Sequence, residues 1–181
     1  EGENKAVDLL PDIQSELAQN PEHRCLYVMD AVATARRLKK ALAELFGDDQ
    51  VGEAHGLVLS SEKRSALRKA HTTGTSGIEI GIDFTDEYFK DVLLFEARTS
   101  AQFLQRLGRI GRNGRDNAQN LAIALVPPEV LAYFQEYPQL PQQLDRTRLP
   151  ILINHAFRYF EPEGFDRYLD HYAPLEAEYT C

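Results

Sequence analysis

The sequence holds two cysteines, no internal repeat, no low-complexity run and no apolar stretch beyond six or seven residues. Each shortage excludes a class of protein. Cys25 and Cys181 are too few and too far apart for a disulfide framework or a zinc site. Cys25 opens an apolar run and is expected to pack as a small core hydrophobe, which suits a reducing cytoplasm. The apolar stretches fall far short of the roughly 20 residues that span a bilayer, so no membrane is expected. No basic segment leading into an apolar one opens the chain, and its start, Glu1-Gly2-Glu3-Asn4, has no Met, as expected of a piece cut from something larger. The five histidines are scattered and none stands in a His-Asp pair, so no metal site is expected. What remains is an ordinary composition, with 43% hydrophobic and 27% charged residues over 181 positions. A chain of this length hides about 70% of its unfolded surface and has room for one domain with an appendage. The net charge of −8 is unevenly spread. Residues 1–22 carry six acids and one base, and residues 129–181 carry nine acids and four bases. Residues 23–128 carry thirteen acids and fifteen bases, so the centre can meet a polyanion, though not through charge alone.

Patterning divides the chain in the same places. Residues 1–22 read as an approach segment, with Val7, Leu9, Leu10, Ile13 and Leu17 giving a weak helical face that Pro11 is expected to break. Residues 25–29 predict a buried strand stopped by Asp30, and Ala35, Leu38, Leu42 and Leu45 mark one face of a helix ending at Gly47. Residues 51–54 predict a second strand, and Ser60 or Ser61 a cap for a helix beginning at Glu62. Residues 70–76 form a polar strand, residues 91–96 a clear one, and Thr99 or Ser100 caps a helix bearing Phe103, Leu104 and Leu107. Residues 121–126 give the last strand. Four or five strands alternating with helices predict an α/β fold, a three-layer sandwich around a parallel sheet over residues 23–128. Residues 129–181, with helices expected near 130–137 and 151–160, read as a small helical C-terminal extension.

The stretch richest in chemistry is Gln105-Arg106-Leu107-Gly108-Arg109-Ile110-Gly111-Arg112. Arginines recur at every third position through Arg115, without an acid among them to make the i,i+4 pairs of a solvated helix face. The interleaved glycines each cost about 1 kcal/mol in a helix interior, so the backbone is expected to turn there and let the guanidiniums converge. Guanidinium is always charged and forks onto phosphate oxygens, so phosphate is the expected target. Upstream, Gly74-Thr75-Ser76-Gly77 and Gly81-Ile82-Asp83 form a loop of small residues that lets phosphate approach the backbone, with a carboxylate to receive a hydroxyl.

The arginine stretch resembles motif VI of superfamily 2 helicases, and residues 74–84 resemble their motif V. Residues 26–30 with the helix after them are similar to motif IV, and His55-Gly56 with Ser60 and Arg64 to the block that follows it. The resemblance, carried by residues 25–112, implies a RecA-like domain, the second of the two that close on ATP. It assigns Gln105 and Arg109 to the γ-phosphate and Arg112 to the arginine finger. It assigns Gly81 and Asp83 to the nucleotide, Thr75 and Ser76 to a nucleic-acid phosphate, and His55-Gly56 to a loop tracking the strand. Within the superfamily, the wording around Gly74–Phe84, Leu93–Ala97 and Phe103–Arg112 most resembles the CRISPR-associated helicases of type I interference. Ala124-Leu125-Val126-Pro127-Pro128-Glu129 is similar to the subtype I-D version, in which the HD nuclease is a separate polypeptide.

No Gly-Lys pair and no Asp-Glu-x-Asp/His tetrad occur in the chain. The lysine loop that cradles phosphates and the acidic strand end that holds Mg²⁺ are therefore missing. ATP with Mg²⁺ is expected to sit mainly on a first RecA-like domain, and this chain alone is expected to have negligible ATPase activity. The partners implied are single-stranded nucleic acid, DNA in the CRISPR reading, the N-terminal RecA-like domain, an RNA-guided CRISPR complex and a separate HD nuclease. Translocation would run 3′ to 5′. Two rivals stand beside this: another superfamily 2 DNA or RNA motor, and a degenerate helicase domain kept as a scaffold.

Overall fold

The computed structural model describes residues 5–78, 84, 86–111, 120–136 and 147–158. Within them five short strands form one sheet: β1 (Cys25–Val28), β2 (Val51–Ala54), β3 (His71–Gly74), β4 (Val92–Glu96) and β5 (Leu121–Leu125). The order across the sheet is β2-β3-β1-β4-β5 and every neighbouring pair is parallel. β1 is central, and every one of its residues is buried, as its unbroken apolar sequence requires of a strand covered on both faces. The helices are α1 (Lys5–Asp8), α2 (Leu10–Gln19), α3 (Val32–Phe46), α4 (Ser60–Arg68), α5 (Ser100–Leu107), α6 (Pro128–Glu136) and α7 (Leu149–Phe157).

Alternation along the strands separates two cores. Cys25, Tyr27, Met29, Val92 and Leu94 point to one face, where they meet Ala35, Leu38 and Leu42 of α3 and Leu10 and Ile13 of α2. Leu26, Val28, Leu93 and Phe95 point to the other, packed with Ala66 and Leu67 of α4, Phe103 and Leu104 of α5, Val130 of α6 and Phe157 of α7. The three-layer α/β sandwich expected from the sequence is thus present, with α1–α3 on one face and α4–α7 on the other. Each leucine taken fully from water contributes about 1.5–3 kcal/mol. Leu45, expected on the buried stripe of α3, lies exposed in the last turn of the helix.

The helical face of the N-terminal stretch is interrupted at Leu9, between α1 and α2, so the break expected at Pro11 is present just ahead of it. Pro11 itself stands in the first turn of α2, where its missing N–H costs nothing. Ala6, Leu10 and Ile13 are part of the core. Helix α7 docks on α5, with Phe103 and Phe157 edge to face at a 6.0 Å centroid separation. The C-terminal helices that are described therefore extend the α5 layer.

β3 is a polar strand in a buried place, and its own side chains explain how. Thr72 Oγ1 donates to the Ala66 carbonyl at 2.8 Å, and Thr73 Oγ1 to that of Gly52 at 3.3 Å. His71 Nδ1 lies 3.0 Å from the Tyr27 hydroxyl, and its ring stacks on Phe46 at 4.2 Å. Buried polar groups are tolerated when each finds a partner, and here the two threonine hydroxyls and the imidazole do.

Candidate functional site

Because all strands run the same way, their carboxyl ends share one edge, and β1 marks the point where the chain switches from one side of the sheet to the other. Open α/β sheets bind ligands outside that crevice. The residues singled out from the sequence that are described lie beside it. His55-Gly56 follows β2, Thr75-Ser76 follows β3, and Gln105 and Arg109 belong to the element after β4.

The two loops expected at a nucleic-acid strand touch each other. A Cβ placed on Gly77 would lie 3.4 Å from the Gly56 amide nitrogen. One placed on Gly74 would collide with the Ile78 side chain and the Ala54 carbonyl, so only glycine fits between β2 and the turn at Ser76–Ile78. Ser76 and Gly77 are exposed, whereas Thr75 is buried and its carbonyl accepts the Ile78 N–H at 2.9 Å. Gly56 faces open space.

His55 has a different environment from the one expected of a strand contact. It is fully buried, its Nδ1 accepts the Leu57 N–H at 3.1 Å and its Nε2 lies 2.6 Å from Glu53 Oε1. Acceptance at Nδ1 leaves the proton on Nε2, which donates to the carboxylate. Glu53 also meets Arg36 Nε at 3.1 Å and Lys39 Nζ at 3.6 Å. Burial would raise the Glu53 carboxyl, but these contacts, His55 foremost, outweigh it and hold the carboxyl below its ordinary value. The imidazole therefore shapes the loop from beneath, and Gly56 is the member of the pair open to a ligand.

Helix α5 begins with a side-chain cap, Thr99 Oγ1 accepting the Gln102 N–H at 3.1 Å. Along the helix Ala101 and Gln105 share an exposed face, four residues apart, and Arg109 follows in the same spacing just past Gly108. The turn continues with the Arg109 N–H on the Arg106 carbonyl at 2.9 Å and with Gly111 at φ +73°, a left-handed position suited to glycine. Arg112 and Arg115 of this stretch, and Gly81 and Asp83 of the preceding loop, lie outside the described residues.

Arg106 does not join a cluster of guanidiniums facing phosphate. Only 1% exposed, it turns into the domain, where Nη1 donates to Asp30 Oδ1 at 2.7 Å and to the Glu96 carbonyl at 2.5 Å. Arg98 Nε pairs with the other Asp30 oxygen at 2.8 Å, and the Asp30 N–H donates to Glu96 Oε2 at 2.7 Å. Burial first, and the neighbouring Asp30 second, raise the Glu96 carboxyl above its usual range. A buried guanidinium requires acceptors, and the Asp30 carboxylate and the Glu96 main-chain carbonyl, at the ends of adjacent strands, supply them. Acids at two strand ends ahead of an arginine helix were the available sequence signal for this network. It holds the last turn of α5 at the carboxyl edge and leaves Gln105 facing outward. Among the described residues no three His, Cys, Asp or Glu side chains are grouped to hold a metal ion. No helix in the described residues is long and apolar enough to cross a membrane.

No protein-family model and no curated protein matches the sequence. Solved structures do match. The C-terminal part of the Fun30 ATPase domain is similar over 86% of this chain and 53% of its own, at 10% identity and a TM-score of 0.54. Domain 2 of the DEAD-box helicase Mss116p, solved on an RNA duplex, covers 77% of this chain and 56% of its own, at 16% identity and a TM-score of 0.59. Cas3 of T. fusca, solved with ATP, covers 83% of this chain and 21% of its own, at 13% identity and a TM-score of 0.56. The chain spans about half the length of the first two. At such identities the likeness speaks for the fold, and that fold is the RecA-like one these helicase domains share.

Proposed function

We propose that the chain is the second motor domain of an ATP-dependent superfamily 2 helicase or translocase. The observation that carries this reading is the placement of Gln105 and Arg109 at the same sheet edge as the abutting loops of Gly56 and Ser76-Gly77. In this reading Gln105 and Arg109 face the γ-phosphate of a nucleotide held by a first domain, and Arg112 is the arginine finger. Gly81 and Asp83 border the same nucleotide. The backbone at Gly56, with Thr75 and Ser76, meets the phosphates of one nucleic-acid strand, where exposed glycine lets phosphate approach closely. Mg²⁺ and the triphosphate, bound mainly by the first domain, supply the electrophile; this domain's groups neutralise charge as the terminal phosphoryl is transferred to water. Closing and reopening of the two domains would then move the chain along the strand. The narrower reading, a type I CRISPR interference helicase with a separate HD nuclease, rests on the wording of residues 74–112 and on the likeness to Cas3.

The test is ATP hydrolysis by the polypeptide that carries both domains, with and without single-stranded DNA or RNA, beside an Arg112→Ala twin. A finger contributes about 10³–10⁵ in turnover, so DNA-stimulated hydrolysis should collapse in the twin. Stimulation by RNA alone would favour another superfamily 2 motor. Folded protein without hydrolysis on either nucleic acid would refute the motor reading in favour of a scaffold.

A further inference from the structure

We infer that Asp30 is a positioning residue that couples the strand-facing loops to the nucleotide-facing end of α5, an inference that rests on the motor reading above. Asp30 occupies the switch point of the sheet and is held on every polar side. Arg106 Nη1 meets one carboxylate oxygen at 2.7 Å and Arg98 Nε the other at 2.8 Å, while its own N–H is given to Glu96 at 2.7 Å. Three anchors on one short side chain and its backbone leave it a single orientation.

From that fixed point two rigid connections run outward. Toward the strand face, Met29, its chain neighbour, donates its N–H to the Gly74 carbonyl at 2.8 Å. Gly74 is itself wedged between the Ile78 side chain and the Ala54 carbonyl, and the turn that follows sets Gly77 against Gly56. A displacement of Ser76-Gly77 by a bound phosphate therefore has no slack to absorb it before Met29 and Asp30. Toward the nucleotide face, Arg106 carries the motion into α5, and its carbonyl accepts the Arg109 N–H at 2.9 Å. The relay crosses three hydrogen bonds between a residue expected at nucleic acid and one expected at the γ-phosphate. Packed, buried connections of this kind transmit shifts because they have discrete arrangements rather than a continuum.

Coupling is a free energy and reciprocal, so it can be read from binding alone. The experiment uses the two-domain polypeptide and a labelled single-stranded oligonucleotide, with affinity measured by anisotropy in the absence and presence of a non-hydrolysable ATP analogue with Mg²⁺. In the wild type the analogue is expected to change the affinity by about 5- to 150-fold, the range for coupled sites. In Asp30→Asn, which keeps the volume and an acceptor but not the charge, that ratio should fall toward unity while each ligand alone binds as before. Arg106→Lys, which keeps the buried charge but not the fork, should lose the ratio in the same way. It decides the question if Asp30→Asn melts below the assay temperature. A wild-type ratio in folded Asp30→Asn or Arg106→Lys overturns the inference and leaves the motor reading standing, as does a wild type that binds both ligands without coupling. A wild type that binds neither overturns both.

Discussion

Replacing Arg106 by Met tests whether the arginine stretch is split between an inward and an outward role. Met approximates the length of the arginine stem, so the change removes the charge and its hydrogen bonds without opening a large cavity. The guanidinium is 1% exposed and donates to both Asp30 and the Glu96 carbonyl, so its loss strands a carboxylate and a carbonyl at a dry sheet edge. Breaking one side of a buried ion pair costs about 3–5 kcal/mol. Arg98 remains on Asp30, which places the expectation near the lower end. Against a total stability of about 5–15 kcal/mol this is a large share. With a urea m-value of about 2 kcal/mol/M, the unfolding midpoint of the chain should fall by about 1.5–2.5 M at constant m. Adding Asp30→Leu to Arg106→Met should recover much of the loss, because removing both members of a buried pair is often neutral. A loss below about 1 kcal/mol, the value of an exposed ion pair, would refute the reasoning and return Arg106 to solvent or ligand. Strict additivity in the double variant would do the same.

Three further outcomes follow from local structure. Lys90, 2% exposed, gives its ammonium to Thr72 Oγ1 and the Lys69 carbonyl, and burial, with Arg24 next, lowers its pKa from 10.5 to about 7. Between those values the native state binds fewer protons than the unfolded chain, so stability should rise with pH by up to about 1.4 kcal/mol per unit. The slope is cleanest from about pH 7.5 to 9, below the window in which Cys25, pushed by burial to about 11, acts in the opposite sense; urea titrations of Lys90→Met should show it flattened. Thr99→Ala removes the cap of α5 and should lower stability by about 1 kcal/mol in the same assay, with a larger effect on exchange of the amides of residues 100–104 than elsewhere. Gly74→Ala forces a methyl onto the Ile78 side chain and the Ala54 carbonyl and should cost at least about 1–3 kcal/mol, since a strand backbone must move; a midpoint unchanged in urea would mean that β2 and β3 are less closely joined than described.

Much of the scaffold was legible because hydrophobic periodicity is a local property. The unbroken apolar run 25–29, the 35-38-42 stripe and the strand at 91–96 each carry their own burial pattern, and the parallel sheet follows from their alternation with helices. The break near Pro11 was legible because a proline ends a helix ahead of itself and suits the first turn of the next, which is where α1 stops and α2 begins. β3 was legible as a strand but not as a buried one, since the partners that satisfy Thr72, Thr73 and His71 come from residues at least six positions away in the chain.

The same division runs through the site. By itself the sequence determined which residues stand next to one another: the Gln105–Arg112 stretch, the glycines around Thr75, and the absence of a lysine loop for phosphate. A regular run of arginines, however, does not say which way each one turns. Arg106 is a buried structural cation because Asp30, seventy-six residues earlier, ends the neighbouring strand, and His55 lies beneath its loop because Glu53 waits there with Arg36 and Lys39. Ion pairs and hydrogen bonds act over a few ångströms of space and carry no period along the chain. Apart from Glu53 and His55, two residues apart in the chain, only the packing of strands and helices brings those partners together, and so the tertiary structure decided which charges face inward and which are left for a ligand.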